Sequence, residues 1–278
     1  MPAANYKQKE RGNGRGRPIK QAHTVATNQI MDLAGGFDDA HRSGTSIFDP
    51  VLCEIIYRWF CPVGGSIIDP FAGGSVRGIV ASWLGYNYTG IELRPEQVTA
   101  NEQQAKIIRK DNLPHWIVAD SINITKLVSG EYDLIFSCPP YYDLEVYSDL
   151  PGEISNCPTY EEFLSRYRQI IKASVSLLKR NRFAVFIVGD IRDDEGFYRK
   201  FPWHTIEAFE AAGARLYNEA VLITAIGSLP IRIGKSFGYY RKLGKTHQNV
   251  LCFFKGDPQT IKNEFGEIKI DEDILNGR

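Results

Sequence analysis

Cysteine is scarce in this chain, and its few copies form no recognisable pattern. There is no C-x-x-C pair and no arrangement of cysteine with histidine at the spacing of metal ligands. An odd, scattered set of this kind argues against a disulfide framework and against a zinc site. We therefore expect a reduced, cytoplasmic protein without a bound metal. The five cysteines are Cys53, Cys61, Cys138, Cys157 and Cys252.

Long apolar runs and two nucleotide-binding signatures are also missing. No stretch approaches the roughly 20 apolar residues that a membrane-spanning helix needs, and we find no signal-peptide pattern. No Walker lysine motif follows the first predicted strand, and "FAGGSVRG" (71–78) does not match G-x-G-x-x-G. These absences argue against a membrane partner, against nucleoside triphosphate hydrolysis and against a dinucleotide cofactor.

An excess of one charge sign is absent from the chain as a whole, which has 33 Lys and Arg against 33 Asp and Glu. The charges are nevertheless unevenly distributed. Residues 1–20 hold six basic residues against one acid, and residues 224–247 hold five basic residues and no acid. Residues 131–162 hold eight acids and no Lys or Arg. The neutral total is therefore a sum of opposed local fields.

Composition divides the chain into three parts. Residues 1–40 are glycine-rich, basic and weakly periodic, which predicts a largely disordered tail. Residues 41–258 are predicted to form one domain, and residues 259–278 a polar, acidic tail. Within the domain, short apolar strands alternate with amphipathic helices, which predicts an α/β fold with a mostly parallel sheet covered on both faces. Ligands in such sheets bind beyond the carboxyl ends of the strands, at the switch point of the strand order.

A glycine-rich turn and three acids stand at the ends of the first three predicted strands. Gly73 and Gly74 follow the first strand, where a ligand can approach the backbone closely. Glu92 ends the second strand, 23 positions after Asp69, an offset suited to pairing with ribose hydroxyls. Asp120 ends the third strand, where its carboxylate would accept from an adenine amino group. Each acid alone is explained by capping or solvation, but together they favour a nucleoside cofactor.

The fourth predicted strand ends in a rigid turn, "DLIFSCPPYYD" (133–143). Proline cannot donate to a sheet ladder, so Pro139 and Pro140 are predicted to lie just past the strand end. Tyr141 follows them directly. By the switch-point rule, this turn should lie at the same edge of the sheet as the glycine-rich turn.

These segments together resemble the S-adenosylmethionine-dependent amino-methyltransferases of DNA, which modify N-6 of adenine or N-4 of cytosine. "DPFAGGS" (69–75) is similar to the family's cofactor motif, usually D-P-F-x-G-S-G-T, with the small residues reordered at Gly74 and Ser75. "YTGIEL" (88–93) is similar to its second motif, and "CPPY" (138–141) resembles its catalytic motif, commonly D-P-P-Y, N-P-P-Y or S-P-P-Y. The resemblance spans roughly residues 45 to 256.

The resemblance implies a Rossmann-like methyltransferase fold: a mostly parallel seven-stranded sheet with helices on both faces and an antiparallel last strand. It implies S-adenosylmethionine as the cofactor, with the segment "SIFDPVLCEIIYRWFCPVGG" (46–65) covering its methionine end. The implied cofactor-binding residues are Phe48, Asp69, Phe71, Gly73, Gly74, Glu92 and Asp120. The implied catalytic residues are Cys138, Pro139, Pro140 and Tyr141.

In the family mechanism, a base flipped out of the duplex stacks on the tyrosine of the catalytic motif, here Tyr141. The first motif residue and the carbonyl of the next accept hydrogen bonds from the target amino group. Cys138 departs from this pattern because sulfur is only a weak acceptor. The Pro139 carbonyl would then carry more of the interaction, or Ser137 or an acid such as Asp143 would assist. The choice between adenine, which the family's base rate favours, and cytosine stays open.

Two segments are candidates for contact with duplex DNA. "GRGRPIK" (14–20) contains the R-G-R-P core of an AT-hook, in which Arg15 and Arg17 would enter a narrow A·T-rich minor groove. A solvated basic tail explains that segment equally well. "GSLPIRIGKSFGYYRKLGKTHQ" (227–248) interleaves glycine, basic residues and aromatics, and is either a solvated hairpin loop or a phosphate-binding segment. Its candidate phosphate contacts are Lys235, Arg241, Lys242 and Lys245.

Three functions remain open at the level of sequence. The first is a methyltransferase that acts on an exocyclic amino group in DNA, with duplex DNA as its partner. The second is an amino-methyltransferase of RNA, in which N-P-P-Y-like motifs also occur. The third is a catalytically silent nucleic-acid-binding module of the same fold, which stays possible because a cysteine stands at the acceptor position. The sequence does not predict an oligomeric state.

Overall fold

A computed structural model describes residues 48–109, 111–223 and 229–268 of the chain. Seven strands form one sheet. The strands are β1 (Ser66–Asp69), β2 (Asn87–Glu92), β3 (His115–Val118), β4 (Tyr132–Ser137), β5 (Leu178–Val188), β6 (Arg215–Ile223) and β7 (His247–Lys255). The helices are α1 (Pro50–Phe60), α2 (Val76–Trp83), α3 (Pro95–Ile108), α4 (Ile124–Leu127), α5 (Tyr160–Ser176), α6 (Phe201–Ala211), α7 (Leu229–Tyr240) and α8 (Ile261–Phe265).

The order of the strands in the sheet is β3-β2-β1-β4-β5-β7-β6. Strands β1 to β5 pair in parallel, and β7 lies antiparallel between β5 and β6. The predicted fold class is therefore confirmed, including the antiparallel last strand. The order reverses direction between β1 and β4, which makes the carboxyl ends of these two strands the switch point of the sheet.

Local sequence signals explain several element boundaries. Asp49 caps α1 by accepting from the backbone N–H groups of Val51 and Leu52, and Pro50 begins the helix. Thr159 caps α5 by accepting from the N–H of Glu162, as the capping-box pattern predicts. Gly85 follows α2 with a φ of 82°, a left-handed conformation that ends a helix at low steric cost.

Each face of the sheet carries its own hydrophobic core. On one face, side chains of β1, β4 and β5 pack with α5 and α6, and the cluster includes Ile68, Phe163, Phe186 and Phe209. On the other face, the alternate residues of the same strands pack with α1, α2 and α3. Alternation along each strand thus buries both faces, as expected for a parallel sheet with helices on both sides. None of the helices in the described ranges is long and apolar enough to cross a membrane.

A cluster of charges joins the amino-terminal ends of the central strands. Asp133 accepts from the backbone N–H of Ser66, from Lys179 and from Arg182, at 2.9 to 3.0 Å. Burial raises the pKa of this carboxyl, but these donors outweigh it and bring the pKa down to about 2. Arg182 also pairs with Glu264 of α8 at 2.7 Å. Helix α8 thus packs on the domain, although it lies in the segment that the sequence analysis assigns to a polar tail.

The segment between β6 and β7 contains a helix that the sequence analysis does not predict. Residues 229–240 form α7, whereas the sequence analysis gives residues 227–248 as either a solvated hairpin loop or a phosphate-binding segment. The hairpin loop is therefore wrong for residues 229–240, and the phosphate contacts stay a prediction. The basic residues that follow α7 lie in an irregular connection to β7.

Candidate active site

The two central motifs of the sequence meet at the switch point between β1 and β4. Ser137, the last residue of β4, donates from its hydroxyl to Oδ1 of Asp69, the last residue of β1, at 2.5 Å. The same hydroxyl oxygen accepts from the backbone N–H of Phe71 at 3.2 Å. Ser137 therefore ties the glycine-rich turn after β1 to the "CPPY" segment that follows β4. The sequence analysis predicted that these turns share one edge, and the structure confirms it.

Asp69 is fully buried and saturated by protein donors. Its carboxylate accepts from Nε of Arg77 at 2.6 Å and from the Tyr88 hydroxyl at 2.7 Å. It also accepts from Ser137 and from the backbone N–H of Phe71. The relative exposure of Asp69 is 0%. In this structure its carboxylate holds the glycine-rich turn from the buried side, and its contact with the cofactor stays a prediction.

Arg77 is the partner that the sequence analysis missed. Its guanidinium pairs with Asp69 and donates to the backbone carbonyls of Phe71 and Ala72 at 2.7 and 2.9 Å. Burial disfavours its charge, but Asp69 more than compensates and raises the pKa of Arg77 above its ordinary value. The ion pair thus holds the carbonyls of the glycine-rich turn in place from inside the domain.

The glycine-rich turn leaves open space above its backbone. Gly73 has a φ of 51°, and a Cβ added at Gly73 or at Gly74 would meet no atom within 4 Å. The N–H of Gly73 donates to Glu92 at 2.9 Å, and its carbonyl accepts from Asn101 at 2.8 Å. The turn is thus fixed by its neighbours, while the space over it is free for a ligand that lies against the backbone.

Glu92 stands at the end of β2, next to this turn. Its Oε1 accepts from the backbone N–H and from Nε of Arg94 at 3.0 and 3.1 Å, and its Oε2 accepts from Gly73. A carboxylate has about four lone-pair sites, so one acceptor site remains on Oε2. The predicted role of Glu92 toward ribose hydroxyls therefore stays compatible with its contacts, and it stays a prediction.

Asp120 lies just past β3 and is partly occupied by the protein. It accepts from the backbone N–H of Ile122 at 3.0 Å and pairs with Arg166 of α5 at 2.7 Å. Gly152, from the acidic segment after the catalytic motif, lies directly against its carboxylate. The acidic segment thus packs over this strand end, and the contact of Asp120 with adenine stays a prediction.

Two aromatic candidates have different surroundings. Phe48 lies before α1, packs edge-on against Phe136 at 5.7 Å between ring centroids, and has the guanidinium of Arg77 4.6 Å from its own ring. Phe71 lies on the other face of the sheet, with its ring 6.0 Å from that of Tyr167. Both are half-buried, and their contact with the cofactor stays a prediction.

In the "CPPY" segment, Cys138 and Pro140 are half-buried and Pro139 is buried. Burial raises the pKa of the Cys138 thiol to about 11. A thiol with that pKa is protonated near neutral pH, so it is neither a strong acceptor nor an activated nucleophile. Its sulfur lies 3.9 Å from the Tyr141 hydroxyl. The departure from the family motif at Cys138 thus leaves the position without a good acceptor atom.

Tyr141 is packed into the protein. Only 8% of the residue is exposed, and its ring lies edge-on to Phe201 at 6.0 Å between centroids. Its hydroxyl accepts from Nε2 of Gln248 at 2.5 Å and donates to the Ile187 carbonyl at 3.5 Å. In this conformation the ring offers no free face, so the predicted stacking of a base on Tyr141 requires the side chain or its covering segment to move.

Glu145 belongs to the acidic stretch after the catalytic motif, and the sequence analysis does not single it out. Tyr142 has a φ of 45°, a strained value for an aromatic residue, and the N–H of Leu144 donates to the Tyr141 carbonyl at 3.0 Å. This tight turn folds the chain back, so that Glu145 faces the backbone N–H of Tyr141 and the Tyr147 hydroxyl. Burial raises the pKa of Glu145, although both donors oppose the shift. Asp143, which the sequence analysis considered instead, is exposed.

The candidate DNA contacts fall partly outside the described residues. Arg15 and Arg17 lie outside them, as does the side chain of Lys235. Arg241 donates to the carbonyls of Phe237 and Gly238 at the end of α7, at 3.1 and 2.5 Å. The remaining two candidates, Lys242 and Lys245, are half-buried. The exposed aromatic residues beside them are Phe237, Tyr239 and Tyr240.

Comparison with known proteins gives a likeness of fold. No protein-family model matches the chain, and neither does any curated protein. Among solved structures, TrmN from Thermus thermophilus matches with a TM-score of 0.50 and 14% identity, covering 74% of this chain and 48% of that protein. This chain thus spans about half the length of TrmN. A methyltransferase from Pyrococcus furiosus matches with a TM-score of 0.50 and 16% identity, covering 86% of this chain and 98% of that one.

At these identities the likeness concerns the fold alone. In this chain the fold has the strand order β3-β2-β1-β4-β5-β7-β6, with β7 antiparallel to its neighbours and the glycine-rich turn after β1. The chain therefore has the Rossmann-like fold of the S-adenosylmethionine-dependent methyltransferases.

Proposed function

We propose that this protein transfers a methyl group from S-adenosylmethionine to the exocyclic amino group of a base in DNA, adenine N-6 first and cytosine N-4 second. The observation that carries the proposal is the hydrogen bond between Ser137 and Asp69. It places the end of the "CPPY" strand directly beside the glycine-rich turn, so that a donor on one motif would adjoin an acceptor on the other. Reaction at such a site requires proximity of this kind.

The cofactor side of the proposal depends on the turn and on Glu92. The open space over Gly73 and Gly74 suits a ligand that packs on the backbone. The remaining acceptor site of Glu92 suits a ribose hydroxyl. When bound, the cofactor would supply an electrophilic methyl group on a sulfonium. These residues would bind and orient it.

The acceptor side depends on the residues that would hold the amino group. In the transfer, the amino nitrogen would bond to the methyl carbon while the sulfonium sulfur kept the electron pair of the broken carbon–sulfur bond and left as a thioether. The nitrogen would then release a proton to solvent water. Acceptors on the amino protons favour this step because they keep the nitrogen lone pair directed at the methyl group. The Pro139 carbonyl is one such acceptor. Glu145 is the other that we assign, because the Cys138 thiol is protonated and weak.

The proposal is tested by incubating the full chain with tritiated S-adenosylmethionine and unmethylated genomic DNA, followed by nucleoside mass spectrometry. We expect label in DNA and a single product, N-6-methyladenine or N-4-methylcytosine. Structured RNA and free nucleosides serve as parallel substrates. Label in RNA alone would show that the substrate is RNA and not DNA.

A second candidate function, a silent nucleic-acid-binding module, is favoured by two observations. Tyr141 is packed away, and Cys138 lacks acceptor strength. Calorimetric binding of S-adenosylmethionine without transfer to any nucleic acid would support this function and refute the methyltransferase. If S-adenosylmethionine did not bind, its assignment as the cofactor would be refuted as well.

A further inference from the structure

The loop of residues 190–200, between β5 and α6, projects from the immediate neighbourhood of Tyr141. Gly189 precedes the loop, and a Cβ added there would lie 3.7 Å from the Tyr141 ring. Phe201 follows the loop, and its own ring packs on Tyr141. Both ends of the loop therefore touch the tyrosine of the proposed base pocket. The residues at the tip of the loop are therefore only a few positions along the chain from that pocket.

The loop is held closed at its base. Oδ1 of Asp190 accepts from the backbone N–H of Ile191 at 3.0 Å and from that of Phe201 at 3.2 Å. The N–H of Arg199 donates to the Ile191 carbonyl at 2.8 Å, and Arg192 pairs with Tyr198 across the loop. The two arms thus form a short antiparallel ribbon anchored by one carboxylate.

The tip of the loop is equally well fixed. Oδ1 of Asp193 accepts from the N–H groups of Gly196 and Phe197 at 2.7 and 2.8 Å, and the Asp193 N–H donates to the Phe197 carbonyl at 2.9 Å. Arg192 donates to the Gly196 carbonyl at 2.7 Å and has its guanidinium 3.9 Å from the Tyr198 ring centroid. The backbone that presents Phe197 is therefore ordered before any partner arrives.

Phe197 itself points away from the protein. It is 69% exposed, although apolar side chains of this size gain most from burial. Phe201 is four positions further along the chain, so the Cα atoms of Phe197 and Phe201, whose ring packs on Tyr141, lie within about 14 Å of each other. A rigid ribbon that ends in an exposed aromatic residue is suited to inserting that residue between stacked groups.

Charges around the tip favour a nucleic acid as the partner of Phe197. The ammonium of Lys242 lies against Gly196 at the tip, and Arg241 is the residue before it. Lys200 is exposed at the end of the loop. Asp194 and Glu195 are exposed at the tip as well, and their carboxylates would be repelled by phosphate. Insertion of Phe197 therefore requires Asp194 and Glu195 to stay clear of the phosphates, while Lys200 and Lys242 are available to contact them.

We propose that Phe197 inserts into the base stack of duplex DNA and holds open the gap that the target base leaves when it enters the pocket. This inference rests on the proposed function, because only an enzyme that acts on an extruded base needs such a wedge. Base flipping costs unstacking free energy, which an aromatic ring in the vacated space partly restores. Phe197 would therefore act on extrusion of the base and have no part in the methyl transfer.

The test compares Phe197→Ala with wild type on a duplex and on the same target strand alone. We expect methylation of the duplex to fall about tenfold or more, which corresponds to the loss of one stacked ring. Methylation of the single strand should stay within about twofold, because no gap has to be held open. Phe197→Trp should recover most of the activity on the duplex. In a second readout without turnover, 2-aminopurine at the target position should brighten with wild type and much less with Phe197→Ala.

Trp83→Ala is the matched control, since Trp83 is a 63% exposed aromatic residue at the end of α2, close to the start of β2 and away from the carboxyl ends of the strands. This variant should leave methylation of the duplex and of the single strand unchanged. Equal losses for Phe197→Ala on duplex and single strand would overturn the wedge, as would no loss on either. Wild-type activity on RNA alone would also overturn it. Absence of methyl transfer by the wild-type chain to any nucleic acid would overturn the proposed function itself, and the wedge with it.

Discussion

The hydroxyl of Ser137 lies 2.5 Å from Oδ1 of Asp69 and 3.2 Å from the backbone nitrogen of Phe71. Two segments that are 68 positions apart in the chain thus share one buried hydroxyl at the switch point. Because this contact sets the distance between the glycine-rich turn and the "CPPY" turn, it governs both stability and the geometry of the proposed reaction.

Ser137→Ala should lower the free energy of unfolding by about 1–3 kcal/mol, because the buried Phe71 N–H and the Asp69 carboxylate each lose a partner. We also expect weaker binding of S-adenosylmethionine, because the glycine-rich turn loses the hydrogen bond between the Phe71 N–H and Ser137. Urea denaturation and titration calorimetry measure the two effects. Ser129→Ala, at an exposed site, is the control. A Ser137→Ala variant as stable as the control would contradict this role.

Asp69→Ala should destabilise the fold by about 3–5 kcal/mol, because it leaves the charge of Arg77 buried and unpaired. The effect should appear in the denaturant midpoint without any ligand. Glu102→Ala removes an exposed carboxylate and should change little. Adding Arg77→Met to Asp69→Ala should recover part of the loss, since the buried charge disappears. No loss of stability in Asp69→Ala would show that the ion pair is not structural.

Glu92→Gln should weaken binding of S-adenosylmethionine by about 10- to 100-fold, the usual worth of a hydrogen bond to a charged group. The fold should survive, because the amide oxygen can still accept from Gly73 or Arg94. Calorimetry on Glu92→Gln and on Glu102→Gln separates the ribose contact from general charge effects. Equal affinities of the two variants for S-adenosylmethionine would show that Glu92 does not contact the ribose.

Glu145→Gln should slow methyl transfer at neutral pH and remove its dependence on this carboxyl. Burial raises the pKa of Glu145 above the ordinary 4.5, and the ionised form accepts a hydrogen bond from an amino group more strongly than the protonated form does. Wild-type kcat should therefore fall as the pH drops through that raised pKa, and the variant should lack this limb. Asp143→Asn should keep the wild-type profile, and an unchanged profile in Glu145→Gln would rule out the assignment.

The same variant should become more stable than wild type at neutral pH. Below pH 4.5 the carboxyl is protonated in both the folded and the unfolded chain, so its burial costs nothing. As the pH rises through the raised pKa, the folded state bears the cost of a buried charge that the unfolded state avoids. Glu145→Gln removes that cost. The free energies of unfolding at pH 4 and pH 7 measure it, and a variant that is less stable at both would contradict the sign.

The parts of the site that were predictable from sequence are those fixed by backbone chemistry. Proline ends β1 and β4 because it cannot donate to a ladder, and glycine permits the turn after β1. The positions of Gly73, Glu92 and the "CPPY" segment at one edge then follow from parallel pairing. These are rules about single residues and their neighbours in the chain.

Other parts depend on contacts that no local pattern encodes. The carboxylate of Asp69 is indistinguishable in sequence from a ligand contact, and only the position of Arg77 beneath the turn shows that it is held in a buried ion pair. Helix α7 contains Gly234 and Gly238, which oppose helix formation. Glu145 reaches the motif through a left-handed Tyr142, a conformation that the residue type disfavours.

The position of β7 between β5 and β6 has a consequence for biosynthesis. Strand β5 is complete at Val188, but its neighbour in the sheet ends only at Lys255, roughly 70 residues later. At about 5–20 residues per second, a ribosome needs several seconds to cover that interval. During that time, the edge of the apolar strand β5 that later pairs with β7 has no partner and can pair with other nascent chains. Successful folding in the cell therefore depends on shielding this edge until β7 has been synthesised.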